Sequence, residues 1–164
     1  MKTIAHPSRA SMPHHANRQR GIAAIEFSFV FMALFFVVYG IATFGAVFYT
    51  QQVVSRAAED GARAVPMMLA PPLTADDPRI KATVYDSLTA ALVVPSSESN
   101  KYNWIAANTT VTVALSGSAP SATAVVTVTY PYSANRLLPT LPVLDTSRWM
   151  PDMLQSRATA AIPS

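Results

Sequence analysis

A strongly apolar, uncharged stretch near the N-terminus constrains the fold of this chain more than any other feature. Residues 27–49 are 23 consecutive residues without a charge, rich in Phe, Val and Ala. As a helix at 1.5 Å per residue the stretch is about 34 Å long, which crosses a bilayer with modest tilt. A buried core helix normally shows a polar stripe, whereas only Ser28, Thr43 and small glycines interrupt this one. The stretch therefore predicts a single transmembrane helix.

The charges are distributed unevenly along the chain. Before residue 21 there are four basic residues and no acidic ones, whereas from residue 55 onward eight basic residues balance eight acidic ones. This asymmetry predicts a basic leader over residues 1–21 in the cytoplasm, disordered to residue 20, and a body outside it. A nucleic-acid-binding protein would carry its basic residues on a folded face, so no nucleic-acid partner is expected.

The helical pattern continues beyond the membrane segment. It predicts one helix over residues 22–65 that ends near Pro66, because proline lacks a backbone donor and disfavours helix in the preceding residue. Small residues form two pairs four positions apart on this extension, Ala57 with Gly61 and Ala58 with Ala62. Such strips let another helix approach closely. The sequence leaves open whether that neighbour belongs to another subunit or to the chain's own domain.

The remaining residues, 66–164, predict a small extracytoplasmic domain. Asp77 is a good N-cap before Pro78, and the apolar positions that follow fall on one face of a helix predicted over residues 78–93. A period of two then predicts two strands joined in a hairpin, followed by a third strand or a short terminal helix, with the strand favoured: residues 110–115, 124–130 and 153–162. The predicted fold class is α+β, with a long N-terminal transmembrane helix, a small helix and an antiparallel sheet.

One carboxylate lies near the start of the apolar segment. A charge at the centre of a spanning helix costs roughly 2.5 to 3.5 kcal/mol, so Glu26 requires an explanation. It could lie at the cytoplasmic edge and reach toward Arg20. If the chain is instead cut after Gly21, the new amino group of Ile22 stands one helical turn from Glu26, and the pair could set the register between packed helices.

The residues around this carboxylate carry a family resemblance. Gly21 followed by Ile-Ala-Ala-Ile-Glu-Phe resembles the prepilin-peptidase site of type IV pilin-like proteins, with glutamate at mature position five. Residues 20–64, which end in Ala-Ala-Glu-Asp-Gly-Ala-Arg-Ala, resemble the TadE-like segment of Flp (tight adherence) pilus assembly proteins. The resemblance implies a minor pilin or pseudopilin of the bacterial inner membrane. Its expected partners are a prepilin peptidase, other pilin-like subunits and the pilus assembly machinery.

Two other interpretations of the anchor remain open. The chain could be a secreted soluble protein whose signal peptide is cut near residues 62–64, although its apolar stretch exceeds the 7 to 15 residues usual for such peptides. It could also be an uncut single-pass protein whose outer domain binds envelope components.

Catalysis and metal binding are not expected. The chain has no cysteine, and its three histidines, His6, His14 and His15, all lie in the leader, across the membrane from the predicted domain. Neither a Gly-x-Ser-x-Gly elbow nor a phosphate-binding glycine loop occurs. The sequence therefore predicts a protein that is not an enzyme and needs no cofactor.

Overall fold

The computed structural model of this chain describes residues 16–68, 72–118, 121–141 and 149–162, with side chains from residue 21 onward. Its elements in chain order are α1 (Ala16–Ala64), a 3₁₀ helix (Val65–Met67), α2 (Pro78–Ala91), α3 (Lys101–Asn108), β1 (Thr110–Ser116), β2 (Thr123–Tyr130) and β3 (Leu154–Ala161). Contacts divide the chain into two compact units, Met1–Ile41 and Ala42–Ser164. We call the second unit the head. The α+β class predicted from the sequence is confirmed.

The first helix begins earlier than the sequence predicted. It includes residues 16–20, so the expectation of disorder up to residue 20 is wrong for these five positions, whereas residues 1–15 lie outside the described part of the chain. The segment Ala-Asn-Arg-Gln-Arg contains good helix formers and no proline, which explains the extension. At its other end α1 stops at Ala64, and Pro66 lies in the 3₁₀ helix, as predicted.

The second helix begins at Pro78, directly after the Asp77 cap, as the sequence predicted. The Asp77 carboxylate accepts a hydrogen bond from the backbone N–H of Arg79 at 3.0 Å, and Pro78 occupies the first helical position. The helix ends at Ala91 rather than at residue 93, because Leu92 is already extended. Its buried side chains, Ile80, Val84 and Leu88, are those that the periodicity placed on one face.

The third helix, α3, was missed by the sequence reasoning. It has only eight residues, and its signal is the Asn100 side chain, which caps it by accepting a hydrogen bond from the Asn103 N–H at 3.0 Å. Ile105 is the fully buried residue of this helix. A short helix with a single apolar anchor has almost no periodicity to detect.

The three strands form an antiparallel sheet in the order β1-β2-β3. The predicted hairpin pairs Val111 with Val128, and the third strand pairs Ala158 with Val126, so both strand predictions are confirmed. Alternate residues of β2, from Ala124 to Tyr130, are buried, and they form the core face of the sheet. The opposite face of the sheet is rich in threonine and more exposed.

Asp76 is hydrogen-bonded to the outer edge of β1, a contact that the sequence patterns did not predict. Asp76 donates its backbone N–H to the Val113 carbonyl oxygen at 2.8 Å, and its carboxylate accepts the Val113 N–H at 3.0 Å. This hydrogen bond, together with the Lys81 ammonium 2.9 Å away, lowers the pKa of Asp76. Asp76 therefore occupies the centre of an edge that would otherwise be open to another strand.

Candidate functional site

The predicted processing residues lie together on the first part of α1. Gly21, Ile22 and Glu26 are all exposed, and a Cβ added to Gly21 would meet nothing within 4 Å. Ile22 and Glu26 are four residues apart, so about 6 Å separates them along the helix axis, on one face. Within the described residues Glu26 forms no salt bridge. The arrangement leaves both the backbone at Gly21 and the carboxylate open to a partner.

The first unit presents an apolar surface around the whole helix. The helical stretch Gly21–Met67 contains an apolar segment with a mean hydropathy of 2.3 and no buried residue, so by length and composition this helix could cross a membrane. Aromatic rings four residues apart stack along one side, with Phe27 and Phe31 centroids 6.0 Å apart and Phe35 and Tyr39 centroids 6.2 Å apart. Exposure of so many large apolar side chains is unfavourable in water and is typical of a helix made for lipid or for another apolar helix.

The helix changes its surroundings at Thr43. From there onward one face is buried in the head, beginning with Thr43, Val47 and Thr50. The Thr50 hydroxyl donates to the Ala46 carbonyl oxygen at 2.9 Å, which satisfies the polar group that burial would otherwise leave unpaired. The last turns of the predicted 27–49 span are therefore also the first turns of the head's core.

The four small residues of α1 all lie inside the head. Ala57 and Ala58 are fully buried, and Ala62 and Gly61 are buried as well. A Cβ built on Gly61 would lie 2.5 Å from Cγ2 of Val84 and 3.1 Å from Cγ1 of Val126. The strip thus contacts α2 and the sheet of its own chain, which is the second of the two alternatives that the sequence left open.

Side-chain hydrogen bonds connect α1 to elements on two sides of the head. On the α2 side, Tyr49 Oη donates to the Ala91 carbonyl oxygen at 2.6 Å, and Ser87 Oγ donates to Asp60 Oδ2 at 2.7 Å. On the β3 side, Gln51 Nε2 donates to the carbonyl oxygen of Gln155 at 3.1 Å. These bonds fix the rotation of α1 about its axis, which keeps the small-residue strip directed into the core.

The described residues offer no constellation for metal chemistry. Among them no three His, Asp or Glu side chains are grouped so that they could hold a metal ion, and the three histidines lie outside the described part of the chain. Near the end of α1, Glu59 and Asp60 instead form ion pairs with the exposed Arg63, at 3.6 Å and 3.8 Å. Such pairs contribute little to stability.

Comparison with known protein families gave a match that lies within α1. Residues 21–63 match a family model described as "TadE-like protein". No curated protein and no solved structure matches the chain. The matched residues begin at the candidate processing glycine and end on the small-residue strip, so the match covers the helix rather than the fold that packs around its end.

Proposed function

We propose that this chain, which carries a TadE-like segment over residues 21–63, is a minor pilin or pseudopilin that takes part in assembling an adhesive Flp-type pilus. In this proposal the precursor is inserted in the bacterial inner membrane with its basic leader in the cytoplasm and its head outside. A prepilin peptidase cuts between Gly21 and Ile22. The mature helix then associates with the helices of other pilin-like subunits.

The observation that carries this proposal is the double role of α1. Its first part has the composition of a membrane anchor, and its last part supplies the head with core residues such as Val54, Ala57 and Ala58. A cut after Gly21 leaves the anchor and the core joined in one chain. A signal-peptide cut near residues 62–64 would remove those side chains from the core, so the burial pattern disfavours the secreted alternative.

The burial pattern also favours a shifted membrane segment. We place the span at residues 22–42 rather than 27–49, because Thr43 is the first residue of α1 that the head buries. These 21 residues are about 31 Å long as a helix, close to the hydrocarbon thickness of about 30 Å. In this register the new amino group of Ile22 lies at the cytoplasmic edge, and Glu26 lies about one turn inside.

With the span at residues 22–42, Glu26 is placed where it could bind a neighbouring helix. It is exposed within the first unit, and Ala33 and Gly40 follow it at seven-residue intervals along nearly the same face. A neighbouring helix could approach such a face closely, so that its amino group reaches the carboxylate away from water. A charge-assisted hydrogen bond is strong in that setting and would offset the cost of placing Glu26 in lipid.

The test compares three variants in cells that make the pilus. We expect Gly21→Val to block processing, and Glu26→Gln to leave insertion intact while reducing co-purification of partner subunits from detergent. Glu59→Gln is the matched control, because it removes an exposed carboxylate from the same helix within the head. Equal partner recovery and normal piliation in all three variants would contradict the proposal and would favour an uncut envelope-binding protein.

A further inference from the structure

Two hydrogen bonds define the end of the head at which α1 enters it. Tyr49 reaches the carbonyl oxygen of Ala91, so the C-terminal end of α2 lies at the level of residue 49. Gln51 reaches the carbonyl oxygen of Gln155, which places the beginning of β3 at the same level. By contrast Gly61, ten residues further along α1, lies beside Val84 in the middle of α2. We call the level of residues 49–51 the anchor-side end of the head.

The loop after β2 lies at this end as well. Tyr130, the last residue of β2, pairs with Leu154, the first residue of β3. The Ser133 N–H donates to the Asp152 carbonyl oxygen at 3.0 Å, which joins this loop to the segment that precedes β3. The topology therefore collects the end of α2, the loop after β2 and the start of β3 at the anchor-side end.

Large apolar side chains are exposed at this end. Trp149 is 77% exposed and Met153 58%, both just before β3, whereas Val93 follows α2 and is 50% exposed. Phe48 of α1 is 65% exposed one residue before the Tyr49 hydrogen bond. Single exposed apolar residues are ordinary, but four at one end of a small domain indicate a surface that something apolar covers.

A cationic cavity opens at the same end. It measures about 310 Å³ and lies between the residues that follow α2, α3, the end of β2 and the following loop, with Trp104, Tyr130 and Arg136 among its lining residues. Nε of Arg136 is buried there without a hydrogen-bond partner in the described structure. A buried Nε–H without an acceptor costs free energy, so an anionic oxygen that reached the half-buried Arg136 guanidinium would be favourable.

We infer that the anchor-side end of the head rests on the phospholipid surface, with Trp149 and Met153 in the interfacial layer and Arg136 donating to a lipid phosphate. The inference rests on the proposed span, because the helix that would leave the bilayer near residue 42 enters the head at this end. Tryptophan favours the boundary between headgroups and acyl chains, and arginine near an anionic lipid surface is favourable. Lipid contact would also fix the tilt of the head relative to the membrane.

The chain provides an internal control for this inference. Met67 is 84% exposed, but it lies in the 3₁₀ helix that follows α1, beyond the end of the helix opposite to the anchor-side end. The chain has no cysteine. Met153→Cys and Met67→Cys therefore each accept a single spin label in the full chain, and the two labels replace the same type of side chain at comparable exposure.

The experiment places each labelled chain in liposomes of phosphatidylethanolamine and phosphatidylglycerol and measures the collision rates of the label with oxygen and with a water-soluble nickel chelate. We expect the label at residue 153 to collide severalfold less with nickel than the label at residue 67, and more with oxygen. Equal collision rates at the two positions would overturn the inference. Carbonate extraction reports separately whether the span is inserted, so a failure of anchoring is distinguishable from a failure of lipid contact.

The role of Arg136 has its own test in the same liposomes. We expect Arg136→Gln to move the label at residue 153 toward water, with a higher nickel collision rate, whereas Arg157→Gln should not, because Arg157 is exposed on β3. An unchanged nickel collision rate of the residue 153 label in the Arg136 variant would show that Arg136 does not contact the lipid surface. If only added partner subunits shield residue 153, the surface binds protein rather than lipid and the inference is wrong.

Discussion

The two parts of α1 show how one helix can have two kinds of surroundings. Over residues 21–42 its side chains are exposed or half-buried, whereas from Thr43 to Ala64 one face is buried in the head. Both parts are rich in apolar and small residues, although four of the five charged residues between residues 21 and 64 lie in the second part. The difference lies in what packs on the helix, which in the second part is the chain's own head.

Two glycines in the second part of α1 have different surroundings. At Gly45 an added Cβ would meet nothing within 4 Å, whereas at Gly61 it would lie 2.5 Å from Val84. Gly45 therefore tolerates a methyl group as far as its own chain is concerned. At Gly61 a side chain would overlap Val84 unless Val84 or the helices moved, so glycine is favoured there.

Deletion of α1 should have the largest effect on the stability of the head. We expect a chain without residues 1–64 to lose its cooperative unfolding transition, because it lacks the buried residues of α1, while a chain without residues 1–41 keeps it. Circular dichroism during urea titration measures both chains. A cooperative transition in the shorter chain would show that the head folds without α1 and would restore the signal-peptide interpretation.

A single methyl group should have the next largest effect. We expect Gly61→Ala to destabilise the head by about 1–3 kcal/mol, because it overpacks the contact with Val84. Gly45→Ala should be neutral or slightly stabilising, since alanine favours helix over glycine by about 0.5–1 kcal/mol. Urea midpoints of the two variants in the same detergent give the comparison. Similar changes at both positions would mean that α2 does not approach Gly61 closely.

The cap of α2 should contribute less and should depend on pH. The hydrogen bonds from the Arg79 guanidinium lower the pKa of Asp77 to about 2 despite the burial of the carboxylate. We expect Asp77→Ala to cost about 0.5–2 kcal/mol at neutral pH.

The sign of this pH dependence follows from the lowered pKa. A carboxyl group with a lowered pKa stabilises the fold above its unfolded pKa of about 3.9 and loses that contribution as the pH falls through its folded pKa. The difference in stability between wild type and Asp77→Ala should therefore shrink between pH 4 and pH 2, the window set by the lowered Asp77 pKa. Because Asp76 also has a lowered pKa, it titrates in both proteins and largely cancels from this difference. A difference that stays constant with pH would contradict the ion pair with Arg79.

The smallest expected effect is that of Tyr49, which lies near the boundary between the two parts of α1. Tyr49→Phe removes the hydrogen bond to the Ala91 carbonyl oxygen, and we expect a loss of about 0.5–1.5 kcal/mol in the stability of the head. Hydrogen exchange at the end of α2 should increase in the same variant. No change in either measurement would indicate that the head begins further along α1 than residue 49.

The sequence predicted those elements that have a strong local signal. The apolar stretch, the Asp77–Pro78 cap and the period of two in β1 and β2 each follow from local physical preferences. The helix over the apolar stretch, the cap and the two strands are confirmed, whereas the membrane span stays a prediction. The eight-residue helix α3 has no such local signal. The cap that Asp76 places on the β1 edge was also beyond prediction, because it joins residues 37 positions apart.

The candidate site was predictable in part. The positions of Gly21, Ile22 and Glu26 follow from the sequence, and the structure adds that all three are exposed. The small-residue strip could not be assigned to a neighbour, because spacing shows that a helix face is smooth and not what covers it. Thr43 was expected to be a polar interruption of the span, whereas the structure buries it in the head.

The measurement that tests the central claim most directly is the intact mass of the chain extracted from native membranes with an active prepilin peptidase. We expect a mature chain of residues 22–164 that begins Ile-Ala-Ala-Ile-Glu-Phe, and an unprocessed chain in the Gly21→Val variant. A wild-type chain that begins at residue 1 would contradict processing and favour an uncut anchor. One that begins near Val65 would contradict the claim that α1 belongs to both the anchor and the core.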